Sequence, residues 1–222
     1  MITLKKLIMT FVFLFSFIGI TLAGEYKNLT AANDAKIAMI ESGISYNANG
    51  QYKEAIVEFN KVIGMDPKNA AAYNFRGYSY ILAANFDKAA ADYTKAIELD
   101  PLYADAYYNR ALVYDMHKSD HEKAIYDFTR AIQLKPKFAE AYLGRGAAYA
   151  KRGQSDSAIE DYNKAIEINP EDGSVYYNRA VSYYAKGEYV KAWDDVKKAE
   201  ELGCEIHPAF LRNLKKMSGK NG

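Results

Sequence analysis

The octet YYNRALVY at Tyr107–Tyr114 returns as YYNRAVSY at Tyr176–Tyr183, and looser versions occupy Ala72–Tyr80 (AYNFRGYSY) and Ala141–Tyr149 (AYLGRGAAY). A stretch written four times marks a chain built from repeated units, so the unit must be sized before any residue in it is given a role. Prolines supply the ruler. Pro67, Pro101, Pro136 and Pro170 lie 34, 35 and 34 residues apart, each closing a similar run: VIGMDP, AIELDP, AIQLKP and AIEINP. Proline has no N–H to continue a helix and a fixed φ suited to starting one, so each marks a boundary between helices. Counting back gives five units, beginning at Lys36, Ala70, Ala104, Ala139 and Gly173, the third with one extra residue between its helices.

Within a unit the same positions recur. The fourth is Met39, Tyr73, Tyr107, Tyr142 and Tyr176; the eighth is Gly43, Gly77, Ala111, Gly146 and Ala180; the eleventh is Tyr46, Tyr80, Tyr114, Tyr149 and Tyr183. Large, small and large at offsets of four and three form one helical face. A turn holding Gly50, Asn85, Gly153 or Gly187 leads to a second helix with Ala55, Ala89, Ala124, Ala158 and Ala192. Its aromatics are Phe59, Tyr93, Phe128 and Tyr162, followed by small Val62, Ala96, Ala131, Ala165 and Ala199. Small residues let paired helices approach closely, and aromatics fill the space between pairs.

Five units in register with this pattern resemble the tetratricopeptide repeat (TPR) family over Lys36 to about Gly203. The resemblance implies an all-α fold, a solenoid of five helix-turn-helix pairs wound into a right-handed superhelix and closed by a C-terminal capping helix. The expected divisions are a signal peptide at 1–23, a lead-in at 24–35, repeats at 36–69, 70–103, 104–138, 139–172 and 173–206, and the cap at 207–218. Departures fall at the ends: Met39 replaces an aromatic, Val62 an alanine, Val196 an aromatic and Cys204 a proline. Terminal units of solenoids are commonly atypical. HPAFLRNLKKM, from His207, carries a possible N-cap, proline at the first helical position, and Phe210, Leu211 and Leu214 on one side.

The N-terminus differs in kind. Lys5 and Lys6 precede the apolar run Leu7–Ile20, and Thr21-Leu-Ala23 follows. This is the arrangement of a secretory signal peptide cleaved after Ala23, the alternative being an uncleaved membrane anchor. Cleavage removes Lys5 and Lys6 and shifts the net charge from +1 to −1. Nothing in that balance attracts nucleic acid. Export leaves the lone Cys204 without a partner in its own chain, as a small buried side chain or a thiol able to pair with another molecule. Asn28-Leu-Thr30 is a glycosylation sequon, meaningful in a eukaryotic source.

The arginine of the octet recurs as Arg76, Arg110, Arg145 and Arg179, and wherever it stands the second helix carries Asp92, Asp127, Asp161 or Asp195; the first unit has Ser42 and Glu58 instead. Their joint presence predicts a ladder of bidentate Arg-to-Asp contacts whose role is register. Tyrosines at the fourth and eleventh positions are expected in the packed face. The resemblance implies that positions two, five, nine and twelve or thirteen of each first helix line a concave groove. The candidate partner-binding residues are therefore Asn74, Tyr78, Ile81, Tyr108, Asn109, Leu112, Leu143, Tyr177, Asn178 and Tyr184. The same stripe holds Ile40, Ile44, Asp115, Ala147, Lys151 and Val181. Being mostly apolar and aromatic, it implies a protein or peptide partner, with self-association as the alternative. A carboxylate clamp of the family's kind is matched only at Asn109 and Asn178. His117 and His121 are four apart but lie where the extra residue enlarges the turn, so a solvated loop is expected there and no metal. No glycine-rich phosphate loop, strand pattern or nucleophile-base arrangement is present, so neither an enzyme nor a cofactor is expected.

Overall fold

The structure, a computed structural model, describes residues 19–117 and 119–219. Eleven α-helices make up the described residues, with no strand among them. They are α1 (Gly19–Ala48), α2 (Tyr52–Met65), α3 (Ala70–Leu82), α4 (Phe86–Leu99), α5 (Ala104–His117), α6 (His121–Leu134), α7 (Ala139–Lys151), α8 (Ser155–Ile168), α9 (Gly173–Ala185), α10 (Tyr189–Glu201) and α11 (Pro208–Ser218). The fold is all-α; Ala70, Ala104, Ala139 and Gly173, read as unit starts, each open a helix, whereas Lys36 lies inside α1. Most of the expected signal peptide, residues 1–18, lies outside the described residues. The expected lead-in at 24–35 lies within α1, which begins at Gly19. No described helix is long and apolar enough to cross a membrane.

The chain divides into two compact units, at Lys68 and Asn69. In the first, α1 packs on α2 through Gly43, where an added Cβ would stand 2.6 Å from the Phe59 ring. Phe59, Ala55 and Val62 are fully buried there, and Lys36 pairs with Asp66 at 3.1 Å.

The second unit repeats the joint. An added Cβ would fall 2.8 Å from the Tyr93 ring at Gly77 and 2.7 Å from Tyr162 at Gly146. Ala111 and Ala180 hold the same place in the other two pairs and are fully buried. Consecutive pairs stack, α4 on α5, α6 on α7 and α8 on α9, and α11 packs on α10. Gly144 serves the stacking, since a Cβ there would meet Phe128 of the preceding pair at 2.5 Å. In three of these pairs the core is alanine around one ring, Tyr93, Phe128 or Tyr162, with Val196 in the ring's place in the last, a layer thin enough that each glycine or alanine sets a helix separation.

Turns inside the pairs share one geometry. Gly50, Ala84, Ser119, Gly153 and Gly187 all have positive φ, between 48° and 77°. The residue needing left-handed backbone in the second pair is thus Ala84, and not Asn85. Asn85 is the N-cap of α4, its side chain accepting from Lys88 N–H. Asn69, Asp120 and Asp172 cap α3, α6 and α9 in the same way.

Candidate functional site

The octet is a joint. In each pair of the second unit the arginine forks onto the aspartate through Nε and Nη2. The distances are 2.8 and 2.6 Å for Arg76–Asp92, 2.7 and 2.8 Å for Arg110–Asp127, 2.8 and 2.7 Å for Arg145–Asp161, and 2.8 and 2.6 Å for Arg179–Asp195. Each aspartate is buried. The flanking tyrosines grip the guanidinium: Tyr107 and Tyr114 lie 5.8 and 5.9 Å from Arg110, and Tyr176 and Tyr183 lie 5.6 and 5.8 Å from Arg179. Tyr73 and Tyr80 do the same for Arg76, and Tyr142 and Tyr149 for Arg145. Cation–π contact and a bidentate fork on one guanidinium are why arginine, and not lysine, recurs.

The third guanidinium nitrogen reaches the preceding pair. Nη1 of Arg110 donates to Thr94 Oγ1 at 3.1 Å, that of Arg145 to Thr129 Oγ1 at 3.0 Å, and that of Arg179 to Asn163 Oδ1 at 2.6 Å. The acceptor always stands two residues beyond the preceding pair's aspartate, as DYT, DFT and DYN. Arg110, Arg145 and Arg179 therefore set register both within a pair and between pairs. Sequence reading missed this second role, although the recurring Thr or Asn after the aromatic was its signal.

The candidate groove residues fall into three kinds. Tyr78 is 47% exposed and Val181 38%, and Leu112 and Leu143 are half-buried at the edges of two core clusters. These keep solvent-accessible apolar surface. Asn74 is buried, and its amide oxygen accepts from Asn109 Nδ2 at 3.0 Å, while Asn178 donates to Ser174 O on its own helix at 2.8 Å. Ile81 packs against the cluster of Ala89, Ala90, Tyr93 and Val113. The third kind is the tyrosines. Tyr108 tilts against Phe138 at 4.8 Å and Phe128 at 5.8 Å, and burial, with the Glu140 carboxylate adding to it, pushes its hydroxyl above the ordinary range. Phe210 of α11 meets Tyr177 at 5.6 Å and Tyr184 at 5.5 Å. The last repeat's tyrosines are thus partly covered by the chain's own cap.

A model of the TPR repeat family matches residues 43–82, 85–118, 115–153 and 146–187, more than half of the chain. The chain belongs to the tetratricopeptide repeat family. Among solved structures it is similar to MamA at 31% identity and a TM-score of 0.67, with 72% of this chain and 94% of that one covered. It resembles the fold of Pseudomonas aeruginosa PilF at 23% identity and a TM-score of 0.76, over 85% of this chain and 86% of that one. YrrB, described as a TPR protein with an unusual peptide-binding site, shares the fold at 22% identity and a TM-score of 0.64, over 80% and 91%. No curated protein matches the chain.

Within this TPR frame the two histidines stand at the helix ends that flank the enlarged third turn, with His117 and Ser119 exposed. His117 ends α5 with its ring stacked on Phe86 at 3.4 Å, and His121 opens α6 with Nδ1 2.7 Å from Asp115 Oδ1. Asp115 is buried and accepts a second hydrogen bond from Lys151 of the next pair. The two histidines have separate partners, and among the described residues no three His, Cys, Asp or Glu are placed to hold a metal. Cys204 is half-buried, its thiol pushed up by burial and, less, by Asp172.

Proposed function

We propose that this TPR protein is an exported, non-enzymatic scaffold that binds a protein segment along the first-helix face of its repeats. The observation that carries the reading is the unevenness of that face. Tyr78, Leu112, Leu143 and Val181 retain exposed apolar surface at recurring positions, whereas the faces joining the helices of each pair are filled. Exposed apolar and aromatic side chains at helical spacing support a bound extended or helical segment. Export rests on the basic and apolar N-terminus, and its fate decides between a released protein and a membrane-anchored one.

Tyr78→Ser/Val181→Ser is the informative variant, because Tyr108 and Tyr177 stack on the chain's own phenylalanines. Proteins captured by wild type from the native extract are expected to be lost with this variant at an unchanged melting temperature. Equal capture by both would sink the groove reading. Self-association is the second reading, favoured by Val190 and Met217, 67% and 51% exposed beside Trp193. A molar mass by light scattering that rises with concentration would support it.

A further inference from the structure

At the edge of the first-helix face, between the third and fourth pairs, the chain holds one of its own lysines in an aromatic and acidic recess. Lys135 follows α6, and its Nζ sits 4.2 Å from the centre of the Phe138 ring and 3.7 Å from Asp105 Oδ1. Phe138 in turn tilts against Tyr108 at 4.8 Å, and the Glu140 carboxylate is close enough to act on the Tyr108 hydroxyl. Asp105 and Glu140 are exposed and occupy the second position of α5 and α7, where the neighbouring pairs have Ala71 and Ser174. One carboxylate and one ring face thus meet the ammonium, with Tyr108 packed against the same ring. Lys135 is held loosely, since its side chain and that of Asp105 are 54% and 53% exposed and the pair is long.

We propose that this recess receives a lysine or arginine side chain of the bound segment, which displaces Lys135 while its apolar neighbours lie on Leu112 and Leu143. The inference rests on the groove reading and adds the chemistry of the occupant. Lys135 shows what the recess accepts: a cation over an aromatic face with a carboxylate beside it. Displacing Lys135 leaves Asp105 beside the Phe138 ring without its ammonium, so an incoming cation is favoured there over an anion or a neutral side chain. Glycine or a small polar residue at the same place would offer neither ring nor charge.

The test is a selection of short random peptides on the folded protein, followed by fluorescence anisotropy with the strongest binders. Selected peptides should carry a basic residue, and its replacement by norleucine should weaken binding about fivefold. Asp105→Asn/Glu140→Gln should weaken the basic peptide by a similar factor and flatten its salt dependence, whereas Lys135→Ala should tighten it. Circular dichroism and melting confirm folding of each variant. If peptides lose affinity with Tyr78→Ser yet bind Asp105→Asn/Glu140→Gln and the norleucine form unchanged, the groove stands and the cation recess is wrong. If no peptide responds to either set of substitutions, both fall.

Discussion

Arg110 shows how much one side chain does here. It forks onto Asp127, bonds Thr94 of the preceding pair and lies between Tyr107 and Tyr114. Asp127 is 1% exposed, so removing the guanidinium strands a carboxylate where water cannot reach it. Arg110→Leu is expected to lower the unfolding free energy by about 3–5 kcal/mol in urea titration. Arg110→Leu/Asp127→Leu should recover most of that loss, because the cost lies in the orphaned charge more than in the missing pair. A double variant as unstable as the single would show that the Thr94 and tyrosine contacts carry the energy. The ladder itself was legible from Arg and Asp occurring together. Its second bond was hidden because threonine and asparagine at one position do not form an obvious pattern.

At the scale of the element, the turn inside each pair is a repeated left-handed residue followed by an N-cap. Ala84 takes that conformation at φ 56° where three other pairs have glycine. A Cβ in left-handed backbone costs about 1–2 kcal/mol, so Ala84→Gly should raise stability by about 1 kcal/mol after glycine's larger unfolded-state entropy is counted. An unchanged or lower melting temperature would mean that the turn is not strained. Gly144 should respond in the opposite sense. Its Cβ would enter the Phe128 ring at 2.5 Å, and Phe128 is fully buried with little room to give. Gly144→Ala should therefore destabilise by about 1–3 kcal/mol in the same urea titration, against a helix-propensity gain of under about 1 kcal/mol. The helix pairs were legible because small and large residues alternate with the helical period. The start of α1 was not, since the repeat pattern records only the stretch that packs on α2. Nor was the burial of Tyr108 and Tyr177, because Phe138 and Phe210 stand outside the repeated positions that defined the stripe.

The whole molecule is tyrosine-rich, with 20 among 222 residues, and this gives it an alkaline limit. Tyr93 and Tyr162 are the rings that fill the second and fourth joints, each 1% exposed. Burial, with Tyr78 and Asp92 adding for Tyr93 and Asp161 and Asp115 for Tyr162, pushes both hydroxyls far above the ordinary value of 10.0. Tyr103 and Tyr108 are raised as well, again chiefly by burial. In the unfolded chain these hydroxyls ionise near their ordinary value, while in the folded chain they stay neutral. Their contribution is thus fully present below about pH 10 and is lost as pH rises from there toward the folded value. Each fully buried tyrosine should then cost about 1.4 kcal/mol of stability per pH unit. Urea titrations at about pH 9, 10 and 11 should show this fall. Tyr93→Phe/Tyr162→Phe, which keeps both rings and removes both hydroxyls, should make it shallower by about 2.7 kcal/mol per unit above pH 10. A slope unaffected by that pair of substitutions would place the alkaline transition in charge repulsion over the surface instead of in the joints that every repeat reuses.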